Sequence, residues 1–456
     1  MNDLDRDSVD FGKGGIVQTF GRVFVPTLAG MLFSAIFILT DGIFVGHGIG
    51  NSGLAAVNLV VPIFNIATAL GMMFAVGVSV IAAIHLSQGN AKAARIIVTQ
   101  AYMAILALGL ILGIVLYSFP TAILKILGTS EVLMPMCTDY YLWFIPCILF
   151  LMVQMVGQFV IRLDGSPKFA SLVEIIPACI NIFLDWLFIF PLDYGIAGAA
   201  AATSIGGFAG IAMVAWYMAR RCHTLRLYRL KCSVTSVVLT FRNMAYMVKV
   251  GISAFLGEFT MSVLTLVGNR TFIEALGEDG VAAYSVVCYL IPVVFMVYSA
   301  ISQSAQPIIS FNYGAGDSRR VGRTFGLTIG LSAFMGLVFT VFFYVFSKPI
   351  VSVFLDKTSS AYALCIDGLP LYSLGFVFMA ISLTVIGYFQ SVEKSFVATV
   401  LTLLRGLVLP VAAFLTLPSV WHTAGLWLSV PIAEALTTVA IVIFAVAGVF
   451  RIDSRA

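Results

Sequence analysis

Residues 50–58 read GNSGLAAVN and residues 277–285 read GEDGVAAYS. At an offset of 227, Gly50, Gly53, Ala55 and Ala56 fall on Gly277, Gly280, Ala282 and Ala283, and Gly89 falls on Gly316. The correspondence continues around small gaps. Pro120, Thr129 and Ser130 answer Pro349, Thr358 and Ser359 at an offset of 229, Cys137 and Asp139 answer Cys365 and Asp367 at 228, and Gly198 answers Gly425 at 227. Weak internal symmetry of this kind marks a chain built by duplication, a recurrent feature of membrane transporters.

Composition fixes the class of each copy. With 61% hydrophobic and 10% charged residues in 456 and a mean hydropathy of +1.05, the chain is an all-α, multi-pass integral membrane protein. Twelve apolar segments are long enough to cross a bilayer: 23–45, 54–84, 96–118, 140–161, 169–190, 196–219, 249–268, 281–309, 324–346, 368–389, 396–417 and 424–450. We number them spans one to twelve. The polar, mixed-charge start lacks a cleavable apolar region, so the first span is expected to be retained. If the N-terminus is cytoplasmic, only Lys125, Arg270, Lys348 and Lys357 lie outside and Arg405 lies within a span, which leaves 20 of the 25 Lys and Arg residues inside. This asymmetry predicts that both termini are cytoplasmic, and it accounts for the net charge of +4 without a nucleic-acid partner.

The longest polar connection carries Arg226, Arg229, Lys231 and Arg242 and divides the chain. The expected organisation is an N-lobe (residues 1–225, spans one to six), a basic cytoplasmic linker (226–248) and a C-lobe (249–456, spans seven to twelve). An even number of spans per repeat keeps both copies in one orientation, with the pseudo-twofold axis along the membrane normal. Two six-helix lobes on such an axis define an alternating-access transporter. The seven cysteines, with no C-x-x-C pair, read as small hydrophobes, Cys222 and Cys232 lying in a polar loop.

Ionisable residues inside spans are costly and tend to mark ion or substrate pathways. Here they are Asp41, Asp185, Glu258, Arg405 and Glu434, with Glu174 near a cytoplasmic end. At 1.5 Å per residue, Asp41, Asp185 and Thr203 lie about 6, 8 and 11 Å from the outer ends of spans one, five and six. Asn181 sits one turn below Asp185 on the same face. Two carboxylates, an amide oxygen and a hydroxyl at one depth suit a small hard cation, and equally a proton shared between the acids. The plainer reading is a hydrogen-bonded cluster that only joins spans one, five and six, but two acids without a basic partner in their lobe are poor glue. In the C-lobe, Glu258, Arg405 and Glu434 fall near the midplane, and Arg405 is placed to pair with either acid. Asp139 and Asp367 read as solvated caps.

The run NIFLDWLFIFPLDYGIAGAAAATSIG (181–206), with LTDGIFVG (39–46), GLAAVNLVVPI (53–63) and the paired GN and GD loops after spans two and eight, resembles the multidrug and toxic compound extrusion (MATE) family. The resemblance covers essentially the whole chain and is greatest to the prokaryotic DinF-type, MepA-like branch. It implies cation-coupled export of diverse, often cationic and aromatic compounds across a prokaryotic plasma membrane, by rocking of the lobes. It also implies that Asp41, Asn181, Asp185 and Thr203 form an N-lobe cation site, and that Pro26 marks a bending point of span one. Glu258 matches the span-seven acid of NorM-type members, yet span ten, YSLGFVFMAISLTVIGYFQ, lacks the acid that accompanies it there. Glu258 and Arg405 remain candidate functional residues of the C-lobe.

The combined expectation is an antiporter, not an enzyme, that works as a monomer in the lipid bilayer on small amphipathic or cationic substrates. It would use H+ and/or Na+ as coupling ion and no other cofactor or metal. The main alternative is a lipid-linked oligosaccharide flippase of the same superfamily, though fourteen spans and a cationic cavity would be usual there. A channel would need repeated charged or carbonyl rings. The chain has no G-x-x-x-x-G-K-[ST] run, and His47, His85, His223 and His422 are scattered.

Overall fold

The computed structural model describes residues 9–230 and 233–450. Lys231, Cys232 and both chain ends lie outside the described residues. Among those described, nine helices are long and apolar enough to cross a membrane, and a bent pair, Ser360–Ser373 and Phe376–Ser391, meeting at 45°, supplies another crossing. Two of the nine are double. The helix Val234–Gly314 has 81 residues, about 120 Å as a straight rod, or four times the hydrocarbon thickness. It breaks at Gly277 (φ 68°, ψ −156°), the repeat glycine that opens span eight. Ser395–Val446, whose last part is the helix Leu409–Val446, breaks likewise at His422 (φ 49°, ψ −128°). Dividing both gives the twelve crossings read from the sequence.

The repeat is written in the backbone as well as in residue types. Gly50 and Gly277 both take positive φ (86° and 68°), as do Gly89 and Gly316 (75° and 76°), a conformation open to glycine at little cost. After the second pair, Asn90 and Asp317 cap spans three and nine, accepting from the amides of Ala93 and Arg320 at 3.1 and 2.9 Å. His422 stands 227 residues after Gly195, and both have positive φ. There the second copy keeps the sign of the backbone angle without keeping the glycine. Asp139 and Asp367 are exposed as expected, but they lie inside helices Met134–Leu163 and Ser360–Ser373 and cap neither. Ser359 is the N-cap of the second, accepting from Tyr362 N at 3.2 Å.

Two compact units meet between Phe255 and Leu256, within span seven. In the first, span five (Pro167–Ile189) packs against span one (Ile16–Gly48) and span six (Gly195–Trp216), and span four (Met134–Leu163) packs against spans two, three and six. In the second, span ten packs against span nine (Ser318–Val345) and the last long helix. Its core is aromatic: Phe272 stacks on Tyr284 at 4.5 Å and meets Trp427 edge-on at 4.9 Å. Four of the five tryptophans, Trp143, Trp186, Trp216 and Trp421, are exposed, as membrane-interface anchors are.

The first turns of span seven belong with the first unit because two glycines allow backbone contact with span two. A Cβ on Gly77 would strike the Met247 carbonyl, and one on Gly251 would strike the Met73 carbonyl. Such reciprocal close approach is how membrane helices gain packing energy without a hydrophobic driving force. Gly251→Val is expected to cost about 1–3 kcal/mol, read as a lowered melting temperature of the purified protein in detergent.

The start of the linker is fastened to the same unit. Asp164 accepts from Tyr217 Oη at 2.8 Å and from the amides of His223, Thr224 and Leu225 at 2.9, 2.8 and 3.0 Å. Arg95 Nε donates to Thr224 O at 2.7 Å, and Tyr228 N donates to Thr99 Oγ1 at 2.8 Å. Six of the seven cysteines lie among the described residues, and all six are free. Cys222 is buried under this strap; burial first, and then the Asp164 carboxylate, push its thiol well above the usual range. A higher pKa means less thiolate at neutral pH. Maleimide should therefore label Cys222 slowly in a variant lacking the other cysteines, and Asp164→Ala should speed labelling by about tenfold or more, since each unit of pKa is a tenfold change in thiolate.

Candidate functional site

Span five brings the acids together because small residues let its neighbours close on it. On span six, a Cβ at Gly206 would come within 3.0 Å of Pro177 O and 3.1 Å of Asn181 Cβ. One turn away, Asn181 Nδ2 donates to Thr203 Oγ1 at 3.2 Å, and the Thr203 hydroxyl donates to Ala199 O at 3.0 Å. From span one, the Asp41 carboxyl lies close enough to Asp185 for the two acids to interact directly. All four residues predicted from the sequence thus meet in one place, between spans one, five and six.

The hydrogen-bond inventory of this cluster is one-sided. Asp185 is fully buried and Asn181 is 2% exposed. Neither Asp185 oxygen receives an N–H or hydroxyl donor, and neither does Asn181 Oδ1, whose own amide protons serve Thr203. Three buried acceptor oxygens facing no donor are energetically untenable unless something positive completes them. A proton shared between the two carboxyl groups would complete them; alternatively, the same oxygens supply the hard donor set of a small cation. Among the described residues there is no group of three or more His, Cys, Asp or Glu side chains placed to hold a metal.

Sequence reading missed some of the surroundings. Tyr140 of span four, buried and stacked on Phe144 at 5.5 Å, lies in electrostatic reach of both Asp41 and Asp185. Its only signal was a polar aromatic at the right depth. Gln154 carries no sequence signal of its role either. Pro177 cannot donate to the carbonyl four residues earlier, and Gln154 Nε2 fills that gap by donating to Val173 O at 2.8 Å.

In the C-lobe, the choice left open for Arg405 falls to Glu434. Arg405 Nε lies 2.8 Å from Glu434 Oε1, with both side chains buried, although the Nε–H is not aimed along that line. Ser382 Oγ donates to Glu434 Oε2 at 2.7 Å. Arg405 sits in a five-residue π-helical turn, Leu404–Val408, and Gly406 makes room there for Thr260. Glu258 is half-buried in span seven. Pro26 lies within a helix that continues through it, leaving the Arg22 carbonyl without its usual intrahelical donor.

Comparison with known proteins agrees with this architecture. The MatE family model matches residues 26–187 and 253–415, one match in each half. The chain belongs to the MatE family. Among its relatives is the multidrug export protein MepA of Staphylococcus haemolyticus (strain JCSC1435), 24% identical over 434 residues, spanning 93% of this chain and 92% of that one. MepA of Staphylococcus aureus (strain NCTC 8325 / PS 47) is 24% identical over 442 residues, spanning 94% and 93%. Among solved structures, an outward-facing multidrug-resistance MATE transporter of the MOP superfamily superposes with a TM-score of 0.87 at 21% identity, covering 95% of this chain and 96% of the other. A MOP-superfamily transporter from Pyrococcus furiosus gives 0.87 at 20% identity, with the same coverage. The shared fold is the two-lobed, twelve-helix fold of these transporters.

Proposed function

We propose that this protein is a secondary antiporter that exports amphipathic, often cationic compounds in exchange for H+ and/or Na+, and that Asp41, Asn181, Asp185 and Thr203 bind the coupling ion. The observation that carries this reading is the set of buried acceptor oxygens on Asp185 and Asn181 that face no donor. Membership of the MatE family and the multidrug export relatives support the export of drugs. In this reading a cation arriving from outside neutralises the acids and rearranges their bonds to Asn181 and Thr203. The protein then favours releasing drug and turning inward. Such coupling requires that the two conformations bind the cation with different affinity. Pro26, which removes one hydrogen bond from span one, is the proposed point at which that span bends.

The basic-residue asymmetry supports both termini in the cytoplasm of a prokaryotic cell, with the chain acting as a monomer in the plasma membrane. A flippase for an anionic lipid-linked sugar is less well supported, because the one arginine buried at mid-span, Arg405, is already neutralised by Glu434. The test is efflux of a fluorescent cationic dye from everted vesicles under separately imposed proton and sodium gradients. Dye movement driven by at least one gradient is expected. Wild-type protein that responds to neither would overturn the reading.

A further inference from the structure

Spans one and five run parallel, and Ser34 of span one precedes Glu174 of span five by 140 residues, the offset that also separates Asp41 from Asn181. The first pair is made in the structure. Ser34 Oγ donates to Glu174 Oε1 at 2.9 Å, and Gly30 leaves the space on span one that Glu174 Oε2 occupies, since a Cβ there would lie 2.6 Å away. Glu174 stands seven residues, or about 10 Å, to the cytoplasmic side of Asn181 on the same helix face. Span five is also loosened here, because Pro177 follows within a turn and the Val173 carbonyl is satisfied by Gln154 of span four and not by its own helix.

The charged surroundings differ from those of the outer cluster. From span four, the buried Arg162 guanidinium lies in electrostatic reach of Glu174 and over the Phe159 ring at 5.0 Å. Span one presents Ser34 and Gly30, with Arg22 further toward the cytoplasm. Span six, Gly195–Trp216, has no ionisable side chain. Span five itself adds only Lys168 near its start and Cys179. The outer carboxylates thus have each other, whereas the inner one has a guanidinium that competes with any bound cation.

We infer that Glu174 is an inner station for the coupling ion, taking it from the Asp41–Asp185 cluster and releasing it to the cytoplasm. For a proton, the acid of the outer cluster loses H+ to water that enters as the inner half opens. Glu174 takes H+ from that water, and then returns it to cytoplasmic water as Arg162 re-forms its interaction with the carboxylate. For sodium, the same carboxylate is a transient ligand that Arg162 displaces. Falling cation affinity from outer to inner station gives the transfer a direction. The inference rests on the proposed antiport reading.

The experiment uses the whole protein in proteoliposomes, with dye flux and cation flux recorded together while pH or sodium is varied on one side at a time. Glu174→Gln should bind the cationic dye as wild type does and melt at a similar temperature, yet lose about tenfold in cation-driven flux together with its dependence on the cytoplasmic-side cation. Glu174→Asp should restore most of both. Wild-type flux with an unchanged cytoplasmic-side dependence in Glu174→Gln would overturn the inference. Should Glu174→Gln fold poorly, Ser34→Ala breaks the same interhelical hydrogen bond while keeping the carboxyl. The inference requires Ser34→Ala to retain the cytoplasmic-side dependence, and its loss there would contradict it. Asp185→Asn in parallel separates the two readings: normal coupling in that variant defeats the outer site, whereas its failure beside a normal Glu174→Gln defeats the inner station alone.

Discussion

Asp185→Asn is expected to reduce cation-driven dye efflux by roughly 100-fold, toward the upper end of ordinary coupling energies, with membrane expression largely intact. The substitution is nearly isosteric and replaces a fully buried carboxyl group. The neutral amide presents one acceptor oxygen in place of two and carries no charge for a cation to neutralise. Folding should tolerate it, because an uncharged side chain is less costly to bury than an uncompensated carboxylate. Asp41→Asn should behave alike, since in the proposed site the two acids hold one cation together. The double variant should then be little worse than either single one, as for residues that share a task. Efflux per transporter from everted vesicles checks this. Wild-type rates in either single variant would remove the site from this place.

The second large effect concerns stability in the C-lobe. Arg405 and Glu434 are both buried and 2.8 Å apart. Removing one partner of such a pair leaves the other as an uncompensated buried charge, at a cost of about 3–5 kcal/mol. Glu434→Gln should therefore lower the melting temperature on the order of 10 °C, while Glu258→Gln should change it little. Arg405→Met combined with Glu434→Leu should recover much of the loss, because apolar side chains of similar size replace a buried pair well. A melting series of purified variants in detergent checks the order. If Glu434→Gln and Glu258→Gln fell equally, the pairing of Arg405 would not be what holds this region.

Most of the fold was legible in the sequence, and the reasons are physical. Membrane spans announce themselves by length and hydropathy because lipid admits few other backbones. The repeat was legible because glycines at positive φ cannot be exchanged cheaply, so Gly50, Gly89, Gly277 and Gly316 kept their spacing. Where a side chain tolerated that angle, as at His422, the match to Gly195 was invisible. The outer cluster was legible because carboxylates in hydrocarbon are rare enough to count and a shared depth needs only a ruler.

Partner choice was not legible. Arg405 had two acids at similar depth, and only the rotation of the helices about their axes decides between them. Helix rotation is set by packing, here by Gly406 against Thr260 and by the π-helical turn around Arg405, features that hydropathy does not encode. The division between compact units inside span seven was hidden for the same reason: it depends on backbone contacts at Gly77 and Gly251, whereas the basic linker draws attention by its charge. Tyr140 was hidden because an aromatic in a span is usually packing, and nothing in its own sequence neighbourhood points across to spans one and five.

The cation and the exported compound are proposed to be linked through the Asp41–Asp185 cluster, and linkage is an equilibrium quantity that is measured without transport. The measurement is the affinity of the purified protein for a fluorescent cationic probe as a function of pH and, separately, of sodium, for wild type and Asp185→Asn side by side. Wild type should bind the probe about tenfold or more weakly as one of the two cations is raised, and by reciprocity the probe should weaken binding of that cation by the same factor. In Asp185→Asn the probe affinity should be flat against both. If the variant kept the full wild-type dependence, the coupling ion would be binding elsewhere, and the buried oxygens of Asp185 and Asn181 would have to be explained as architecture alone.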